Sequence, residues 1–259
     1  MRLILFFLFC YLPFLVCAQL PSENDTLIPL NRHYFEIAPE DTASHFYDKL
    51  VSFSENGTKL ERIFTRDGKI QRVVITKPWT EEFYEQVTDE YNAYNELAWR
   101  KTQNRNNGKY MTMYYYNNEV VGQVLSESDT LSYVARNGES EPKPQRFNDF
   151  DPQLSVPINE FYEFASKKFR LSAKLYPRQP EWYGIAVLVN EHGMVDQIEW
   201  ANPMGGNPKV ADQYIRVVEL WGNNFHPALD SFGQPVSKWL TIPFHMGTGA
   251  LIFLDLDFH

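Results

Sequence analysis

Cysteine is almost absent from this chain. Its 259 residues include two cysteines, Cys10 and Cys17, and both lie within the first 17 residues. If that region is removed on export, no thiol remains for a disulfide, for cysteine catalysis or for a cysteine-ligated metal site. The scarcity therefore excludes thiol and disulfide chemistry from the expected mature protein.

Positive charge is also in short supply. The chain carries 24 Lys and Arg residues against 33 Asp and Glu residues, which gives a formal net charge of −9, and its sequence contains no basic block. Such a chain is a poor binder of nucleic acid. After the N-terminal region, no apolar run reaches the roughly 18 residues that a membrane-spanning helix needs. We therefore expect no nucleic-acid partner and no later membrane crossing.

Residue sets that carry catalysis or bind metals are missing as well. His192, His226 and His245 lack the spacing of a metal-binding pair, and there is no Gly-x-Ser-x-Gly nucleophile motif. Met204–Pro208 contains two glycines before a helix but lacks the Gly-Lys-Ser/Thr ending of a phosphate-binding loop. We predict no enzyme activity, no catalytic residue, no metal and no cofactor. The alternative is an enzyme with an unrecognised site in the N-terminal domain.

The first 18 residues have the pattern of a secretory signal peptide. A short positive start precedes an apolar run, and Val16-Cys17-Ala18 offers a cleavage site. Cleavage there predicts a periplasmic or secreted protein. Two alternatives remain open: an inner-membrane anchor over residues 3–18, although Pro13 interrupts it, and a lipoprotein signal at Cys17.

Composition divides the rest of the chain into two domains. Residues 19–43 are mostly polar and are predicted to form an extended arm. Residues 137–157 contain four prolines and are predicted to form a linker. The two predicted domains are residues 44–136 and residues 158–259.

The first of these domains has the turn residues of β-hairpins. Asn56-Gly57, Asp67-Gly68 and Asn137-Gly138 are typical of hairpin turns, because these residues tolerate the positive φ that such turns require. Five short strands are predicted, over residues 59–65, 69–76, 109–117, 119–125 and 130–136. This pattern predicts a β-hairpin-rich domain.

One long helix is predicted between the hairpins of this domain. Apolar residues recur every three or four positions over Thr80–Gln103, at Tyr84, Val87, Tyr91, Tyr94 and Ala98.

The second domain is predicted to contain two helices and three strands. Its helices are expected over Ile158–Leu175 and Val210–Trp221, each with one apolar face. Its strands are expected over Tyr183–Asn190, Met194–Asn202 and Lys238–Met246. This order predicts an α+β fold class, with two helices on one face of a three-stranded antiparallel sheet.

The order and its landmark residues resemble the C-terminal domain of the TonB energy transducers of Gram-negative bacteria. The resemblance covers residues 158–246. Its landmarks are Tyr176-Pro177, Gly184, His192-Gly193, the phrase from Trp221 to Ala228, Gly233–Val236 and Ile242-Pro243-Phe244. The chain departs from that family in having a short proline-containing linker and a hairpin-rich domain where the family has a long spacer.

What the resemblance implies is a periplasmic protein-binding or adaptor module. In the family, a segment of an outer-membrane transporter adds as a strand to the edge of the sheet. Here that edge would be Lys238–His245, and the partner-binding residues would be Lys238, Trp239, Thr241, Pro243 and His245. Proline suits an edge strand because it cannot donate to a central ladder. The alternative is a membrane-anchored TonB-type transducer for outer-membrane transport.

A further alternating segment follows the predicted edge strand. Residues 250–258 place apolar residues at Ile252, Leu254, Leu256 and Phe258. They are predicted to add an extra strand to the C-terminal sheet. If that strand pairs with Lys238–His245, it fills the edge that a partner would use.

Overall fold

The protein is mostly β-sheet. The computed structural model describes residues 27–128, 130–222, 224–247 and 251–252. Strands account for 45% and helices for 13% of the structure. The predicted fold class is wrong, because a ten-stranded antiparallel sheet dominates the protein and the C-terminal sheet has four strands rather than three. The predictions for residues 1–18 lie outside the described residues.

Ten consecutive strands form the larger sheet, and each pairs antiparallel with the next. Its strands are β1 (Ile28–Leu30), β2 (Tyr47–Phe53), β3 (Lys59–Thr65), β4 (Ile70–Thr76), β5 (Glu85–Tyr91), β6 (Leu97–Asn104), β7 (Tyr110–Tyr116), β8 (Glu119–Ser128), β9 (Leu131–Arg136) and β10 (Lys143–Gln145). The first and last of them come from the predicted arm and the predicted linker.

Short turns set the register of this sheet. Gly57 and Gly68 have φ angles of +80° and +81°, and Asn117 and Asn118 between β7 and β8 also have positive φ. Two successive positive φ angles match the right-handed twist of the flanking strands, which is why such turns close hairpins.

The predicted helix over Thr80–Gln103 is wrong, because the segment folds into β5 and β6. Asn92 forms the turn: its side-chain oxygen accepts hydrogen bonds from the backbone N–H groups of Tyr94 and Glu96, both at 2.9 Å. Local bonding of this kind competes with the helix. The sequence of β5 does not show the apolar–polar alternation of a strand. A buried charged residue, Asp89, shares its face with Val87 and pairs with Arg100.

The described residues of the C-terminal part form two helices, one 3-10 turn and three small sheets. Its elements are β11 (Gln153–Leu154), α1 (Ile158–Lys168), a 3-10 turn (Ala173–Leu175), β12 (Glu181–Val189), β13 (Val195–Trp200), α2 (Pro208–Trp221), β14 (Phe225–His226), β15 (Ala228–Leu229), β16 (Pro235–Val236), β17 (Lys238–Met246) and β18 (Leu251–Ile252). The four-stranded sheet has the order β13-β12-β17-β18, while β11 pairs with β14 and β15 pairs with β16.

An apolar core joins the two helices to one face of the four-stranded sheet. Phe161 from α1, Tyr214 from α2 and Phe244 from β17 are all fully buried in it. The rings of Tyr214 and Phe244 stack with their centroids 4.4 Å apart. Helix α2 starts where the side chain of Asn207 accepts a hydrogen bond from the N–H of Lys209, followed by a proline at the first helical position.

The loop after β1 covers the opposite face of the same sheet. Asn31 donates a side-chain hydrogen bond to the carbonyl of Ala201 at 2.7 Å, across 170 residues of sequence. His33 lies 2.9 Å from a carboxylate oxygen of Glu199 and packs edge-on against Trp239. Burial lowers the pKa of the His33 imidazole, although the nearby Glu199 carboxylate acts in the opposite direction.

Residues of the predicted linker form the junction between the two sheets. Phe150 is buried and stacks on Tyr114 at a centroid distance of 4.0 Å. Gly122 lies beneath it, and a Cβ there would approach the Phe150 ring to 2.8 Å. The guanidinium of Arg136 bonds both the carboxylate of Asp149 and the carbonyl of Asp230. Lys238 of β17 also bonds Asp151 and the carbonyl of Phe150, so residues 137–157 contact both the ten-stranded and the four-stranded sheet.

Candidate functional site

Strand β17 is paired along its whole length on one side only. It pairs antiparallel with β12 from Lys238, opposite Val189, to Met246, opposite Glu181. On its other side, β18 pairs with only two of its residues, His245 and Met246. Within the described residues, the stretch Lys238–Phe244 therefore has no strand on its outer side.

The hydrogen bonds of β12 show which residues of β17 point outward. Gly184 directs both backbone groups away from β17, because its carbonyl accepts from Ala201 and its N–H donates to Asn202. Successive residues of an antiparallel strand direct their backbone N–H and C=O groups to opposite sides of the strand. Ile185 therefore faces β17, and its partner there is Ile242. It follows that the even-numbered residues of β17 bond to β12 and the odd-numbered residues face outward.

Four residues of β17 thus turn their backbone groups to the outer edge: Trp239, Thr241, Pro243 and His245. His245 lies opposite Ile252 of β18. The carbonyl of Pro243 accepts a hydrogen bond from the hydroxyl of Tyr162 at 2.9 Å, and proline has no N–H. Among the described residues, the outward N–H and C=O groups of Trp239 and Thr241 have no hydrogen-bond partner. In the described part of the chain, one N–H and one C=O group of each of these two residues are therefore unpaired.

A cleft of about 280 Å³ runs beside this edge. Its floor is formed by residues 240–243, and its opposite wall by residues 153–159, which lead into α1. Phe147 and His226 stack in the wall with their ring centroids 6.0 Å apart. The volume falls just below the roughly 300–1,000 Å³ typical of small-molecule sites. The open groove suits an extended chain better than a compact ligand.

The five residues predicted to bind a partner have different roles in the structure. The ammonium group of Lys238 donates hydrogen bonds to Asp151 and to the carbonyl of Phe150, so this side chain belongs to the junction between the two sheets. Trp239 packs on His33 through its ring and faces outward with its backbone. Of the predicted set, Thr241 is the one that lines the cleft and keeps both backbone groups unpaired in the described part of the chain.

Three contributors to the site were missed by sequence reasoning. Tyr162 donates a hydrogen bond to the carbonyl of Pro243, Arg146 lines the cleft, and Asp151 pairs with Lys238. Two of these residues lie in the segment predicted to be a linker. A useful signal was available there, since Phe147 and Phe150 are too apolar for a solvated linker.

Comparison of the chain with known proteins finds no match. No family model, no curated protein and no solved structure matches it. The resemblance of residues 158–246 to the TonB C-terminal domain therefore stays a prediction.

Two further features are absent from the described residues. No helix in residues 27–128, 130–222 or 224–247 is long and apolar enough to span a membrane. In the same part of the chain, no group of three or more His, Cys, Asp or Glu side chains is placed to hold a metal ion.

Proposed function

We propose that this protein is a protein-binding or adaptor module that accepts an extended segment of a partner as an added strand on the outer edge of β17. The observation that carries the proposal is the set of outward backbone groups at Trp239 and Thr241. Unpaired N–H and C=O groups on a sheet edge form a template for another strand. The adjoining cleft would take the side chains of that strand.

The neighbouring structure supports a docking role for this edge. The edge is held rigid from both faces of its sheet, because α1 and α2 pack on one face and the loop at Asn31–Phe35 packs on the other. A rigid edge binds a strand with little ordering cost on the protein's side, which favours affinity.

The proposed location is the periplasm. The proposed partner is a protein of the cell envelope, for example a segment of an outer-membrane transporter. This part of the proposal rests on the signal-like residues 1–18 and on the family resemblance. An anchored transducer is the competing proposal. N-terminal sequencing of the mature protein separates them, because a start at Gln19 would contradict the anchor.

Thr241→Pro tests the edge directly. Proline removes the outward N–H without touching the bonds to β12, so the fold should persist while strand addition is blocked. With the full mature chain as bait in a periplasmic extract, we expect an envelope protein that the wild type captures to be lost with Thr241→Pro. Equal capture by both chains would contradict strand addition at this edge.

Two control variants separate binding from folding. Thr241→Ala removes the same side chain but keeps the N–H, so it should capture the partner as the wild type does. Ile242→Pro removes an N–H that faces β12, and it should lower the melting temperature markedly. If Thr241→Pro melts as early as Ile242→Pro, the assignment of outward residues is wrong.

A further inference from the structure

The cleft beside β17 differs in charge from the rest of the molecule. The chain has a formal net charge of −9. Among the described residues that line the cleft there is no Asp or Glu, whereas Arg146 and His226 are both present. The described residues that line the cleft therefore supply no carboxylate where a docked strand would lie.

Arg146 is available to a ligand. Its side chain is exposed at the cleft, and in the described part of the chain it forms no ion pair. By contrast, Arg136 and Lys238 nearby are engaged by Asp149 and Asp151. Arg146 is thus a cation in the wall of the cleft that pairs with no carboxylate of the described residues.

The register of an added strand sets which of its side chains would reach Arg146. Residues directly opposite each other in an antiparallel pair share a face of the sheet. Leu240 and Ile242 point to the helix face and line the cleft together with Arg146. A partner residue paired with either of them would therefore point into the cleft.

From this placement we propose that the segment that docks on β17 is acidic, with a carboxylate side chain opposite Leu240 or Ile242 that pairs with Arg146. The occupant is an extended segment of another protein that carries Asp or Glu at alternate positions. This inference rests on the proposed function and adds to it the chemistry of the partner.

The test uses two synthetic peptides and the full mature chain. One peptide alternates Val and Asp over seven residues, and the other has Asn in place of every Asp. Binding is measured by fluorescence anisotropy at low and at moderate salt. We expect the Asp peptide to bind about fivefold more tightly than the Asn peptide, with a preference that shrinks as salt is raised.

Two arginine variants locate the source of that preference. Arg146→Gln should reduce the ratio of the two affinities to about one. Arg178→Gln removes an exposed arginine outside the cleft and should leave the ratio unchanged. If the preference survives Arg146→Gln, or if it is lost equally with Arg178→Gln, the proposal is overturned.

Thr241→Pro distinguishes failure of this inference from failure of the proposed function. If both peptides bind equally and both lose binding with Thr241→Pro, the edge accepts strands but the acidic preference is wrong. If neither peptide binds the full chain, strand addition itself fails. If binding appears only in a chain that lacks residues 250–259, the occupant is the chain's own C-terminal segment, and the proposal of another protein is overturned.

Discussion

Replacing Arg136 by alanine is expected to lower the free energy of unfolding by about 2–4 kcal/mol. The side chain is 14% exposed, and its guanidinium pairs with Asp149, bonds the carbonyl of Asp230 and lies 5.1 Å from the centre of the Phe150 ring. Its loss leaves a largely buried carboxylate and a carbonyl without their donors. Urea denaturation followed by tryptophan fluorescence measures the change.

A matched ion pair supplies the control for Arg136. Lys143 pairs with Glu139 in the same segment, but its side chain is 67% exposed, so Lys143→Ala should cost at most about 1 kcal/mol. The double variant Arg136→Met with Asp149→Leu should be more stable than the sum of its single variants predicts, because no buried charge is left unpaired. Additive effects, or a cost for Arg136→Ala below that of Lys143→Ala, would mean that residues 137–157 do not form a structural junction.

Gly193→Ala is expected to cost about 2–4 kcal/mol, for two separate reasons. Gly193 has a φ angle of +74°, which disfavours any residue with a Cβ by about 1–2 kcal/mol. A Cβ at this position would also lie 2.5 Å from the carbonyl oxygen of Phe225. That oxygen belongs to strand β14, so the contact can be relieved only by displacing backbone.

Gly68→Ala isolates the first of these two costs. Gly68 has a similar φ angle of +81°, but a Cβ there would meet nothing within 4 Å. Its substitution should cost only about 1–2 kcal/mol, from the backbone conformation alone. The two variants can be compared by thermal unfolding under the same conditions. Equal costs would show that the turn at Gly193 does not pack against β14.

Strand and turn positions with strong local signals could be predicted from the sequence. Strand β3 is found over Lys59–Thr65 and β17 over Lys238–Met246, both as the residue patterns indicate. Helix α2 ends at Trp221, as the apolar pattern over Val210–Trp221 predicts, and it begins two residues earlier, at Pro208. These signals depend only on neighbouring residues.

Features that depend on distant residues could not be predicted. The mistaken helix over Thr80–Gln103 resulted from aromatic spacing that satisfied a helical period, while the turn at Asn92 and the buried Asp89–Arg100 pair decided the structure. The prolines at 142, 144, 152 and 157 suggested a linker, although Phe150 packs on Tyr114 of the larger sheet. The fold class was wrong because these segments add strands rather than a helix and a spacer.

The strand that carries the candidate site, Lys238–Met246, could be predicted from the sequence, but the contacts around it could not. Pro243 indicated an edge strand from its chemistry alone. The sequence could not show that Tyr162 binds its carbonyl, that Lys238 is committed to Asp151, or that Arg146 would lie across the cleft. Each of these contacts depends on how α1 and residues 146–157 pack beside β17.

Amide hydrogen exchange along β17 tests the open edge most directly. In the free, full-length mature protein, the N–H groups of Leu240, Ile242 and Phe244 should exchange slowly because they bond to β12. Those of Trp239 and Thr241 should exchange faster, on the order of 100-fold, because they face outward and have no partner among the described residues. Slow exchange at Trp239 and Thr241, equal to that of their neighbours, would contradict an edge that is open to another strand.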